Sequence, residues 1–296
     1  MAWNFYNIME SKMTNKILFG LLFTAITTGG FAAETDGIYS FKVGQFDVHM
    51  LVERQNSGNA GILVNANENI LRQLIPSGGF MHSTNAFLIV GQGQYILVDT
   101  GFGQTIFDKM KILGVTPEQI TAVLLTHMHG DHIGGLQRDN RPLFPNAKLY
   151  LSTRERDHFT VTQVNQSAVA VVRAYGNQVV IFDPPALGST LREILPGISP
   201  IANYGHTPGH TVYLVESSGS RLIIAGDFLH VALVQFPHPE ISASYDMDQN
   251  AAAVSRRQLL EYAAHNRIPV GGMHIVYPGT GRVETSGQGF RFIPMQ

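Results

Sequence analysis

The spacing of apolar and polar residues divides the chain into short strands and a few helices. Between Phe41 and Val52 apolar residues alternate with polar ones, the period of a half-buried strand. Ala86–Val90 and Tyr95–Val98 are two β-rich runs, and the turn Gly91-Gln92-Gly93 between them predicts a hairpin. From about residue 104 the period changes: Ile106, Phe107, Met110 and Leu113 fall at helical spacing, with Gly114 as the stop. Ala122–Thr126 and Ala147–Leu151 read as buried strands. Residues 152–175 read as mostly helical after a polar start at Ser152, and Val179–Phe182 as another strand. The Pro- and Gly-rich stretch 184–200 predicts a connecting loop. Val212–Val215 and Leu222–Ala225 predict strands flanking Ser217-Ser218-Gly219. Asp248–Ala264 predicts a helix with Asp248 near its N-cap.

The strands come in two batches, each followed by helices, with no linker between. That order predicts one domain of the α/β (α+β) class. The N-terminus is set apart. Lys12 and Lys16 precede the apolar run Ile17–Ile26, and small residues follow from Gly29 to Ala33, the pattern of a secretory signal. The run is too short for a bilayer span, which takes about 20 residues. The expectation is a signal over residues 1–33, with Met13 as an alternative start, and a single domain over 34–296. The mature protein is then periplasmic or secreted, with no stable membrane insertion.

Composition narrows the function. The chain is 44% hydrophobic and 14% charged, which suits a packed globular protein. The net charge of -2 and the lack of a Lys/Arg run argue against a nucleic-acid partner. A small-molecule substrate is expected, and a homodimer is left open. There are no cysteines, so any metal site must be built from nitrogen and oxygen.

The candidate chemistry is concentrated in Thr126-His127-Met128-His129-Gly130-Asp131-His132, at the end of an apolar strand. In extended chain His127 and His129 project to one side, and a turn at Gly130 redirects Asp131 and His132. One loop can thus serve two adjacent metals. Three further pieces place a His or Asp beside an apolar run: Gly205–Thr211 with His206 and His210, Ala225-Gly226-Asp227, and Gly272-Met273-His274. Imidazole and carboxylate together suit zinc, and also manganese, iron or cobalt.

Taken with Asp99-Thr100-Gly101, these pieces resemble the metallo-β-lactamase superfamily from about residue 80 to the C-terminus. The resemblance implies a four-layer αββα sandwich. It implies that His127, His129 and His206 hold one divalent metal, that Asp131, His132 and His274 hold a second, and that Asp227 bridges them. A hydroxide shared by the metals would attack the substrate. Asp99 resembles an acid that supports the ligand loop, and His210 a packing residue.

An Asp at 227, where classical β-lactamases of this fold carry Cys or Ser, resembles lactonases, glyoxalase II-like thioesterases and organophosphate hydrolases. Asn85–Ile89, Gly226–Val231 and Gly272–Gly279 resemble the methyl parathion hydrolase-like and quorum-quenching lactonase group. The implied activity is hydrolysis of lactones or carboxylic esters, with phosphotriesters as a further target. The alternatives are a β-lactamase and a glyoxalase II-like thioesterase. Asp131 and His230 are the catalytic candidates. His230 stands three residues after Asp227, where lactonases have a substrate-contacting Tyr, and could donate a hydrogen bond to the developing oxyanion or leaving group. His82 is a weaker candidate for the pocket wall.

Overall fold

Alternation along the strand Gly79–Gly91 sorts its side chains to two faces. Ala86 and Leu88 join one buried cluster, with Ile106, Met110, Leu149, Val171 and Tyr175; Phe87 and Ile89 join another, with Phe46, Ile96, Tyr213, Ile224 and Met273. The same split recurs across the second sheet. Tyr213 and Val215 face inwards, whereas Val212 and Leu214 pack outwards with Leu259, Leu260 and Ala263 of the helix Gln249–Asn266. A middle layer shared by both sheets and an outer layer on each side produce helices, sheet, sheet, helices, the expected αββα order. Each fully buried large apolar side chain in these layers contributes about 1.5–3 kcal/mol. The computed structural model describes residues 36–296. The expected signal over residues 1–33 lies outside them. No helix among the described residues is long and apolar enough to cross a membrane.

The first sheet has seven strands in the spatial order Ile38–Val43, Phe46–Asn59, Gly79–Gly91, Gln94–Val98, Ala122–Leu124, Lys148–Ser152 and Val179–Phe182. Its first four strands are antiparallel and the remainder join in parallel. The second has six: Ile198–Ala202, Thr211–Ser217, Ser220–Ile224, Val270–Gly271, Thr280–Ser286 and Gly289–Pro294. The expected hairpin forms at Gln92-Gly93 (φ 51° and 75°), and the strands flanking Ser217-Ser218-Gly219 join in a second one at Ser218-Gly219 (φ 48° and 76°). Two successive positive φ values match the right-handed twist of the strands they join. Asp248 caps its helix, accepting from Ala251 N at 2.9 Å.

Residues 152–175 are mostly helical, as expected, in separate pieces; one other expectation needs correction and one hairpin is new. Thr153–Asp157 passes into a wider turn over His158–Thr162, and Asn165 then caps a new helix, Gln166–Tyr175, by accepting from Ser167 N and Ala168 N. The stretch 184–200 is not all loop, because Ile198–Ala202 is a strand. It carries Pro200, which is tolerated because this strand lies at the sheet edge. The hairpin Thr280–Ser286 with Gly289–Pro294 has no counterpart in the expected elements.

Two parallel pairs aim the chemistry. Gln94–Val98 beside Ala122–Leu124 delivers Asp99 and the histidine loop, and Ser220–Ile224 beside Val270–Gly271 delivers Asp227 and His274. In both, the functional residues follow the carboxyl ends of the strands, where open α/β sheets place their ligands.

Candidate metal centre

The site is built by fixing imidazole rings one at a time. Asp99 accepts from Thr126 N at 2.8 Å and from Thr126 Oγ1 at 2.6 Å. The Thr126 hydroxyl hydrogen is therefore committed to Asp99, so its oxygen accepts from His127 Nδ1 at 3.0 Å. His132 Nδ1 donates to Asp99 Oδ2 at 2.7 Å, His206 Nδ1 to Asp246 Oδ1 at 3.0 Å, and His274 Nδ1 to the carbonyl of Ser83 at 2.7 Å. A neutral imidazole carries one N–H, so each of these four rings presents a bare Nε2 lone pair.

Those lone pairs converge. His127 Nε2 lies 3.2 Å from His206 Nε2, and each is 3.0 Å from His129 Nδ1. Asp227 Oδ2 stands 3.3 Å from His206 Nε2 and 3.7 Å from His127 Nε2, closing a group of four donors. Asp227 Oδ1 lies 3.2 Å from His132 Nε2, and Oδ2 also lies 2.9 Å from His274 Nε2. Asp131 is 3.7 Å from His132 Nε2 and 3.6 Å from His274 Nε2, so Asp131, His132 and His274 form a second group. Bare lone pairs facing one another at such distances repel unless a cation lies between them. His132 Nε2 and Asp227 Oδ1 are buried without a hydrogen-bond partner among the described residues, and unpaired buried polar atoms are costly. The donor set thus fits divalent cations in two adjacent positions.

The electrostatics agree. Burial alone would raise the Asp227 carboxyl, but His132, His274 and His127 outweigh it and hold it well below the usual carboxylate range. Burial lowers His127 strongly and His129 to about 4, which keeps both neutral and able to bind a cation. His132 is raised, because Asp227, Asp131 and Asp99 together outweigh its burial.

Several supports were not anticipated from the sequence. Glu155, from the helix Thr153–Asp157, accepts from Met128 N at 2.8 Å, Thr207 Oγ1 at 2.7 Å and Gly209 N at 3.0 Å, clamping the 127–132 loop to the His206 loop. Its burial pushes the carboxyl up to about 7. Asp246, Arg256 and Gln235 also hold the surroundings of the site. His210 packs behind it as expected: its Nδ1 donates to Asn203 O and its Nε2 accepts from Asp227 N, both at 3.0 Å. Gly226, at φ 55°, admits this arrangement, since a Cβ there would stand 2.6 Å from His210 Nε2. Asp99, fully buried, holds Thr126 and His132 through its two carboxylate oxygens. Asp99→Asn places an amide donor against Thr126 or His132, so metal affinity should fall about 10–100-fold, read by titrating the metal-free protein with zinc. Unchanged affinity would remove Asp99 from this role.

The cleft over the site holds about 600 Å³ and is lined by His82, Phe102, His129, Asp131, His230 and Tyr245 among others. The structure therefore brings His82 and His230 to the cleft. His49 pairs with Ser40 elsewhere. A second cavity of about 940 Å³ shares Ser57 and Phe80 with the cleft and is lined by Met81, Val231, Leu233, Phe236, Ile275 and Phe292.

Residues 80–266 match the family model of the metallo-β-lactamase superfamily. The chain belongs to this superfamily. Among its curated relatives, YobT of Bacillus subtilis is 29% identical over 146 residues, which cover 48% of this chain and 60% of that protein. The atrochrysone carboxyl ACP thioesterase of Passalora fulva is 28% identical over 154 residues, covering 49% and 37%. The chain thus spans 60% or less of the length of these two relatives. Solved structures match across the fold. AidC, a dizinc quorum-quenching lactonase in complex with a product, superposes with a TM-score of 0.78 at 24% identity, covering 88% of this chain and 98% of AidC. The hydrolase AbOPH gives 0.79 at 24% identity, covering 89% and 99%. At that identity the likeness shows the shared fold.

Proposed function

We propose that this protein is a metal-dependent hydrolase of lactones or carboxylic esters that works with two divalent cations, zinc being the best fit to its donors. The observation that carries the reading is the position of Asp227, within 3.7 Å of the inward nitrogens of His127, His132, His206 and His274. A carboxylate placed between two donor groups suits a shared ligand. In this reading His127, His129 and His206 hold one cation, Asp131, His132 and His274 the other, and Asp227 touches both. A bound pair of cations would lower the pKa of a shared water towards about 7 and polarise the substrate oxygen. In this reading Asp99, Asp246 and Ser83 would orient the ligands, while Phe80, Phe102, His230 and Tyr245 line the cleft that would take the substrate.

The test is metal quantification on the purified protein beside a panel of acyl-homoserine lactones, nitrophenyl esters, thioesters, phosphotriesters and β-lactams. About two cations per chain are expected, with activity lost on chelation and restored by added metal. Full activity at one tightly bound cation would end the two-cation reading. Turnover of thioesters alone would favour the second reading, a thioesterase, which draws support from relatives named as an ACP thioesterase and a hydroxyacylglutathione hydrolase.

The cavity behind Phe80 suits an aliphatic tail on the acyl side. Each methylene buried there contributes roughly 0.8 kcal/mol, about fourfold in binding. The KM for nitrophenyl esters should therefore fall steadily from acetate to octanoate. Leu233 lines this cavity and is 58% exposed, so Leu233→Asp should fold normally. It should reduce the octanoate-to-acetate ratio of kcat/KM by about tenfold or more, since it sets a carboxylate beside the tail. An unchanged ratio would place the tail elsewhere.

A further inference from the structure

The helix Gln249–Asn266 carries Arg256 at its middle, and the side chain is 1% exposed. A guanidinium is almost never this buried unless it is paired. Its Nη2 donates to Asp246 Oδ2 at 3.1 Å, its Nη1 to the carbonyls of Pro239 at 2.8 Å and Ile241 at 3.0 Å, and its Nε to the carbonyl of Phe228 at 2.6 Å. Asp246 is buried as well. Its Oδ2 also accepts from Ala243 N at 3.0 Å, and its Oδ1 takes the Nδ1 proton of His206 at 3.0 Å. A buried ion pair is weak evidence for stability, because apolar residues of similar volume often serve as well. What this pair touches is more telling. Through Asp246 the guanidinium reaches His206, and through Phe228 O it holds the residue that follows Asp227. Through Ile241 O it meets Gln235, whose amide donates to that carbonyl at 2.9 Å and accepts from His230 N at 2.7 Å.

We propose that Asp246 and Arg256 are positioning residues of the metal centre: together they hold the proton of His206 on Nδ1, turn Nε2 into the cleft, and lock this ring to the strand end that bears Asp227. The proposal rests on reading His206 and Asp227 as ligands. A carboxylate on the outer nitrogen fixes the ring and raises the basicity of the inner one, and losing such a partner typically weakens metal binding 10–100-fold. In Asp246→Asn the amide could still accept from His206 through its oxygen, but its NH₂ would face the guanidinium, and the negative charge would be gone.

Cobalt(II), whose visible absorption reports ligand geometry, is the probe for the full-length protein. Metal-free wild type, Asp246→Asn, the double variant Asp246→Asn/Arg256→Met, and His206→Ala are titrated in parallel, with circular dichroism recording fold. The expected result is a 10–100-fold weaker cobalt affinity in Asp246→Asn and in the double variant, with an altered absorption band. The double variant removes both buried charges and so remains informative if the single one fails to fold. Wild-type affinity and spectrum in a folded Asp246→Asn or double variant, while His206→Ala weakens binding, would overturn the proposal and leave the ligand reading standing. Unchanged binding in His206→Ala would overturn the ligand reading, and the proposal with it. Nitrogen NMR of the metal-free wild type is independent of any variant at these positions. The proton of His206 should sit on Nδ1, and an Nε2-protonated ring would equally refute the assignment.

Discussion

Asp227→Ala should abolish hydrolysis and leave a chain that folds but cannot hold two cations together. Among the described residues, this carboxylate alone lies within 3.7 Å of His127, His132, His206 and His274 at once. Losing an outer partner of a metal ligand costs about 10–100-fold, and removal of a ligand common to both cations should cost more. Folding should survive, because Asp227 is a buried ionised group whose loss also relieves desolvation, and its backbone N–H keeps its bond to His210. Metal analysis should show at most one cation per chain, with circular dichroism unchanged. Asp227→Ser is the sharper variant, since Ser stands at this place in some β-lactamases. A Ser variant that keeps both cations and full esterase activity would show that Asp227 does not bridge.

The parts of this site that could be read in the sequence are those that the chain writes locally. His127 to His132 lie within one loop, and Asp227 and His274 each follow an apolar run that becomes a strand of the second sheet. The groups that aim these ligands carry no such mark. Glu155 reaches Met128 across 27 residues and Thr207 across 52, and Asp246 reaches His206 across 40. Arg256 lies in a polar stretch, Ser255-Arg256-Arg257-Gln258, and nothing in that spacing separates the buried arginine from its exposed neighbour Arg257, which pairs with Glu240 at the surface. Only the packing of the helix on the second sheet makes the distinction.

The fold follows the same rule. A continuous apolar run was decisive where a strand has two apolar faces, as in Ala86–Val90, whose residues divide between the middle and outer layers. It failed in parts of the second sheet. Ile198–Ala202, an edge strand, is interrupted by Pro200, and Thr280–Ser286, an inner strand, carries Arg282 and Glu284 on its exposed face. Proline blunts an edge strand against pairing with other chains, and both proline and charge erase the apolar run by which a buried strand is recognised.

His230→Ala should lower turnover by roughly 10²–10⁴-fold on a lactone with a poor leaving group, the range expected for a positioned proton donor. The ring is held where this role requires. Its backbone N–H donates to Gln235 at 2.7 Å, and its face stacks on His274 with centroids 5.0 Å apart. Burial lowers its pKa to about 4, so near neutral pH it is an uncharged ring with one N–H to offer. Nε2 lies 3.3 Å from Asp227 Oδ2, and Nδ1 is buried without a partner among the described residues. With its one N–H on Nε2, beside Asp227 at the cleft, the ring would donate to a substrate oxygen once the Asp227 carboxylate is taken up by the cations. Nitrophenyl esters, whose leaving group needs little protonation, should lose much less than the lactone. Metal content decides between this role and the other that the geometry allows, because His230 also stands within ligand distance of the Asp227 and His274 group. A variant that retains both cations and loses lactone turnover supports the donor. One that sheds a cation makes His230 a ligand, and one that keeps full turnover on the lactone reduces it to a wall of the cleft.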